Sequence, residues 1–341
     1  MKTRALAILV LSLHCGLARA MIEDERPARV KLTLCPEPAS VSELPEYAIL
    51  SEDTVILFSP GALGAESAAR FLAECWRAPT GYPLPVQPDR QPLMVGAIRF
   101  VSPASPDERQ PPEGYLLRVN PAGVRIVASD PAGFFYGVQT LRQLLNPITY
   151  ASELRPEGRW GWLVTAVDIR DAPRFGWRGL MLDESRHFMG KAAVKKILDG
   201  MASLKLNRFH WHLTDSPGWR LEIKRFPELT TAGAVGDNSD PKRPAQFYTQ
   251  ADVSEILDYA RARHIMVIPE IELPAHATAA MRAFPNLSCT GKLEFMYCAG
   301  NDEAVRFLEG VLDETLTLFD APFIHIGGDE CQRLEIGRAH V

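Results

Sequence analysis

Beyond its first twenty residues the chain has no apolar run long enough to cross a bilayer as a helix, which takes about 20 such residues. Nor is there a basic stripe. The 37 Lys and Arg stand against 42 Asp and Glu, a formal charge of −5, so nucleic acid is not an expected partner. Cysteine is scarce, at 6 of 341 residues, and no Cys-x-x-Cys spacing supports a structural zinc site. Residues 28–160 also lack any grouping suited to catalysis. The search for chemistry moves to the second half.

What is present begins with an address. Lys2 and Arg4 precede the apolar stretch Ala5–Leu13, and Ala18-Arg19-Ala20 is a small-x-small cleavage site. Residues 1–20 therefore read as a removable signal for export. Cys15 follows His14 rather than a small residue, so no lipid anchor is expected. Cleavage near Ala20 removes three positive charges and no negative ones, moving the formal balance from −5 to −8. In an oxidising compartment Cys289 and Cys298 would close a short loop as a disulfide; the alternative is two free thiols.

The two halves differ in texture. Within 28–160, short apolar runs recur at Tyr47–Leu50, Thr54–Phe58, Leu93–Val101, Tyr115–Val119 and Val124–Ala128, and Asn120-Pro121-Ala122-Gly123 predicts a hairpin between the last two. Ala65–Trp76 and Ala132–Leu145 carry helical spacing, which makes this half a small α+β domain. From about Trp160 strands and helices alternate. Gly179–Leu182, Arg208–Leu213, Ile265–Pro269 and Phe323–Ile326 read as strands, with helices at Lys191–Leu204, Ala251–Arg263 and Asp302–Phe319. That alternation implies parallel βαβ units, an α/β arrangement over 161–341.

Polar residues collect at the C-terminal ends of all four predicted strands. They include Asp183, Arg186 and His187, then His210, His212 and Asp215, then Glu270, Glu272 and His276, and finally Asp329 with Glu330. In a (β/α)8 barrel this rim is where active sites form. Asp329 and Glu330 follow Gly327-Gly328, and glycine permits the sharp turn that would bring two adjacent carboxylates into one pocket. Forced together in a partly dry site, one would bind its proton more tightly than the other, a pairing suited to acid/base work. The plain alternative is a solvated Gly-Gly-Asp-Glu turn.

Four motifs then carry a resemblance. Trp177-Arg178-Gly179-Leu180-Met181-Leu182-Asp183 with Ser185-Arg186-His187-Phe188, Asn207 to Asp215 with Gly218-Trp219-Arg220, Pro269 to His276, and His325 to Glu330 resemble the first four barrel strands of family-20 glycoside hydrolases. The resemblance implies a small α+β domain followed by the first half of a (β/α)8 TIM barrel. It implies a β-N-acetylhexosaminidase that acts on N-acetylhexosamine-terminated oligosaccharides or glycoconjugates, with no cofactor and no metal. Glu330 would be the acid and base, and Asp329 would orient the substrate's own acetamido group as nucleophile, an exception to the usual two-carboxylate scheme. Arg178 would grip the sugar hydroxyls, and Asp215 and His276 would hold Glu330. His210, His212 and His325 would support them.

Two departures stand out. Ser216 replaces a common Asp and Ala275 a usual Gly, and neither removes a catalytic role. Residues 332–341 resemble nothing that should follow in the family and are expected to be non-native. Half a barrel would leave open sheet edges, so the chain as written is expected to be inactive. Two other readings stay open: a sugar-binding protein without catalysis, and a metal-dependent barrel amidohydrolase with His210 and His212 on zinc.

Overall fold

The structure, a computed structural model, describes residues 32–90, 94–145 and 162–331. The export signal and the segment 332–341 lie outside them. From Cys35 onward the chain forms one unit built from two layered parts.

The first part is a seven-stranded mixed sheet in the order β1-β7-β5-β6-β4-β2-β3. Its strands are β1 (Ser40–Leu50), β2 (Ile56–Phe58), β3 (Val86–Pro88), β4 (Ala97–Val101), β5 (Tyr115–Asn120), β6 (Gly123–Ala128) and β7 (Trp162–Asp171). The β5–β6 hairpin forms at Asn120 to Gly123, with the Asn120 Oδ1 accepting from the Ala122 N–H at 2.9 Å. Two helices, α1 (Ala65–Thr80) and α2 (Pro131–Leu144), supply the other side of the core. Asp130 caps α2 by accepting from Gly133 N–H at 2.8 Å, and Pro131 follows at the first turn, where a missing N–H costs nothing. Trp76, Phe100 and Phe134 are wholly buried between helices and sheet, and Tyr136 is buried where α2 meets Arg178.

The first part is larger than the sequence reading allowed. β7 lies between β1 and β5 as an antiparallel strand, so the boundary falls after Asp171 and not at 160. β1 is also longer than Tyr47–Leu50. Its polar first half, with Pro45 beside a register shift, is an exposed edge strand, which has no need of apolar alternation.

The second part is a parallel sheet of β8 (Gly179–Asp183), β9 (Arg208–His212) and β10 (Met266–Glu270) in the order β10-β9-β8. α3 (Lys191–Ser203) connects β8 to β9, and α4 (Gln250–Arg261) connects β9 to β10. A capping box between Thr249 and Asp252 starts α4. α5 (Thr278–Ala283) and α6 (Asp302–Leu318) follow. Val194, Leu198, Met201, Val253, Ile256 and Leu257 bury the inner faces of α3 and α4.

The expected fourth strand is a correction. Phe323–Ile326 lies along β10 and exchanges backbone bonds with it, His325 N–H to Pro269 O and Ile271 N–H to His325 O, both at 3.0 Å. It makes a single bridge, Glu270 to His325, and is not a regular strand. Gly327 and Gly328, at φ 63° and 89°, turn the chain away at once. Trp177, ahead of β8, stacks on Phe323 at a ring separation of 5.8 Å, so the sheet is curved enough to bring its two edges together.

Candidate active site

The C-terminal ends of β8, β9 and β10 and the Gly327-Gly328 turn converge on one rim. Asp215, just past β9, is 2% exposed and accepts from His276 Nδ1 at 2.9 Å. The far nitrogen of that ring, Nε2, stands 3.5 Å from a Glu330 oxygen and 3.7 Å from an Asp329 oxygen. Among the described residues Nε2 has no hydrogen-bond partner. His276 and Glu330 both take left-handed backbone angles, φ 53° and 51°, which side-chain-bearing residues adopt at a cost of roughly 1–3 kcal/mol. The structure therefore brings Asp215, His276, Asp329 and Glu330 into one line.

Asp329 and Glu330 are 65% and 71% exposed, so the partly dry pocket expected around them is not formed by the described residues. The split carboxylate pair lies one layer deeper, at Glu270 and Glu272. Burial opposes charge on Glu270, but bonds from His210 and His212 outweigh it and hold this carboxyl well below the usual range. Glu272 has no such partner for Oε2. Burial, and next the neighbouring Glu270 charge, push its carboxyl up to about 8. A Cβ at Gly327 would overlap the Glu272 carboxyl, so only glycine lets this backbone lie against it.

Glu270 collects three imidazoles. His210 Nε2 and His212 Nδ1 lie 2.6 Å from its Oε2, and His325 Nδ1 lies 2.7 Å from its Oε1. Donor atoms of His210, Glu270 and His325 fall within 4.8 Å of one another, the spread a metal ion could bridge. A shared ion with bonds of about 2.0–2.2 Å would hold neighbouring donors about 3 Å or more apart. The observed 2.6 and 2.7 Å separations are shorter than that, and the His210 contact is a hydrogen bond. Around Asp183 and Asp215 the place of a cation is taken by Arg186, at 2.5 and 2.7 Å. The donor set fits protons better than zinc.

Arg178 requires correction. It sits immediately before β8, at the opposite end of the strand from the rim, and its guanidinium is engaged throughout. Nε donates to Lys205 O at 2.7 Å, Nη1 to Phe175 O at 2.7 Å and to Glu113 at 2.8 Å, and Nη2 to the Tyr136 hydroxyl at 3.0 Å. It ties the barrel strands to the first domain and cannot reach a sugar held at Glu330. The arginine on the rim is Arg186. Strand direction was the available signal: Arg186 follows the end of β8, and Arg178 precedes its start.

Cys289 and Cys298 form a disulfide with Cα atoms 4.7 Å apart. The loop they close lies over the site, with the Phe295 ring 4.7 Å from the His276 ring.

Carboxylates and imidazoles gathered on the rim of βα units form an acid/base site of the barrel type. Known proteins make the class specific. The family description "Glycosyl hydrolase family 20, catalytic domain" matches residues 175–338, and "Glycosyl hydrolase family 20, domain 2" matches residues 31–172. A beta-hexosaminidase of Porphyromonas gingivalis is 39% identical over 312 residues, which is 89% of this chain and 39% of that protein. One from Vibrio furnissii is 36% identical over 322 residues, 88% of this chain and 49% of that protein. Among solved structures, the Streptomyces plicatus N-acetyl-beta-hexosaminidase in complex with Thio-NAglucal superimposes with a TM-score of 0.81 at 37% identity, covering 89% of this chain and 61% of that one. The chain belongs to glycoside hydrolase family 20. It spans less than half the length of these two curated relatives.

Proposed function

We propose that the protein releases terminal β-linked N-acetylhexosamine from oligosaccharides or glycoconjugates, working as an exported enzyme. The observation that carries this reading is the line Asp215–His276–Glu330 on the rim of a family-20 chain. Glu330 protonates the leaving oxygen and afterwards activates water. His276, fixed by Asp215, tunes and steers that carboxyl. Asp329 accepts the acetamido N–H and stabilises the positive charge on the ring formed when the substrate's own carbonyl oxygen attacks the anomeric carbon. An attached nucleophile needs only orientation, which is proximity and electrostatics rather than covalent catalysis by the protein. Arg186, bonded to both Asp183 and Asp215, stands where it can meet the sugar, the part first assigned to Arg178.

The test is hydrolysis of an aryl N-acetyl-β-glucosaminide by the wild type and by Glu330→Gln. Loss of about 10²–10⁴ in kcat at similar KM is the expected result. Turnover that survives the substitution would remove Glu330 from the mechanism. Saturable N-acetylglucosamine binding by an inert wild type would favour the sugar-binding reading. Treatment with a chelator is expected to change nothing.

A further inference from the structure

The line of groups behind Glu330 does not stop at Asp215. Asp215 Oδ2 faces His212 Nε2 at 3.3 Å, and the other nitrogen of that ring, Nδ1, faces Glu270 Oε2 at 2.6 Å. His212 is 4% exposed, so water cannot supply either nitrogen with a partner in place of these carboxylates. A neutral imidazole has one N–H and one lone pair. Whichever nitrogen carried the lone pair would point it at a buried carboxylate, an arrangement that repels. Both nitrogens must donate.

We propose that His212 is held as a doubly protonated imidazolium joining Glu270 to Asp215, and that it acts as a positioning residue which keeps Asp215 ionised and turned toward His276. This role rests on the reading of Glu330 as the acid, while the charge of the ring does not. The surroundings require a cation. Facing His212 are Glu270 at the end of β10, Glu272 with its Oε1 at 3.8 Å from Nδ1, Asp215 after β9 and Asp183 at the end of β8. Against these stand Arg186, bonded to Asp183 and Asp215, the rings of His210 and His325 on Glu270, and His276 on Asp215. Glu272 holds its proton here, yet one guanidinium still faces the carboxyls of Glu270, Asp215 and Asp183, and His212 occupies the centre of the group.

Asp215 shows the consequence. Its Oδ1 accepts from Ser216 N–H and His276, and its Oδ2 from Arg186 and His212. Burial opposes the charge, yet the His212 bond, the Ser216 N–H and the cationic neighbours hold the carboxyl below its usual range. With Oδ2 pinned, Oδ1 has one orientation left, and that orientation fixes the His276 ring under Glu330.

The experiment is nitrogen NMR of the full chain labelled with ¹⁵N-histidine, with His212 assigned by loss of its signals in His212→Gln or, if that variant does not fold, by through-bond connection to labelled neighbours. Both His212 ring nitrogens are expected to stay protonated from about pH 6 to about pH 8, a range over which a free imidazole loses a proton. A single protonated nitrogen at about pH 7.5 would overturn the proposal. In an active protein His212→Gln should lower kcat about tenfold, leave KM within about twofold and move the acid limb of the profile to higher pH. An unmoved profile with full kcat would leave His212 a packing residue and sink the positioning role. The ring measurement needs no turnover. A protein that fails to hydrolyse N-acetylhexosaminides would therefore defeat the functional reading without touching this result.

Discussion

Glu270 and Glu272 are two residues apart and both buried, yet they hold their protons in opposite ways. The difference is partners. The imidazoles of His210 and His212 are hydrogen-bonded to Glu270 and that of His325 lies against it, whereas Glu272 meets the backbone of Gly327 and other carboxylates. For Glu272 the consequence for stability has a definite sign. In the unfolded chain its proton leaves near the ordinary value of 4.5, and in the folded chain near 8. Between these the folded state holds a proton that the unfolded state has lost, so stability falls as pH rises through the window. Glu272→Gln keeps the shape of the protonated acid and cannot ionise. Its melting temperature should decline less than that of the wild type between about pH 5 and about pH 8. Thermal melts at both ends of that range decide the matter, and parallel slopes would mean that Glu272 is ionised in the fold.

At the scale of elements, legibility followed burial pattern. β8, β9 and β10 with α3, α4 and α6 were readable because short apolar runs ending in polar residues and helices with one apolar stripe leave strong marks, even where Leu180 and Met181 of β8 stand exposed. β1 was only half visible, since an exposed edge carries no such mark. Phe323–Ile326 misled in the other direction: it has the apolar content of a strand, but the two glycines behind it end the pairing after one bridge. The disulfide loop was readable as a spacing and not as a function. Its role comes from where it lies. Ala277 N–H donates to Phe295 O at 2.9 Å and Tyr297 N–H to Pro274 O at 2.8 Å, so the loop holds both sides of His276. Reducing Cys289–Cys298 should cost about 2–3 kcal/mol, as for a closed loop of this length. It should also lower kcat, because the ring of Phe295 loses its anchor over His276. Chemical denaturation and turnover, each with and without reductant, test this; a stability loss with unchanged kcat would confine the loop to a structural part.

For the whole molecule the governing contacts are those that join the sheet domain to the parallel strands. Lys205, after α3, is buried and donates to Asp171 at the end of β7 and to the Tyr115 hydroxyl, both at 2.8 Å. Arg178 reaches Glu113 and Tyr136 from the other side of the same seam. The resemblance made Arg178 look like a sugar ligand, although it precedes the first residue of β8 and so stands at the foot of the strand, away from the rim. Arg178→Ala would leave Glu113, among the described residues, with Asn207 Nδ2 at 3.2 Å as its side-chain donor, and would strip donors from the carbonyls of Lys205 and Phe175. Removing one partner of a largely buried pair costs about 3–5 kcal/mol, and a seam that is partly open to water should lie at the lower end. Urea denaturation followed by a probe in each domain should show that loss as one shared transition moved to lower denaturant, because the two parts are stabilised by the same seam. The folded fraction should keep the KM of the wild type for an aryl N-acetyl-β-glucosaminide. A raised KM with unchanged stability would return Arg178 to the substrate and contradict its place at the foot of β8.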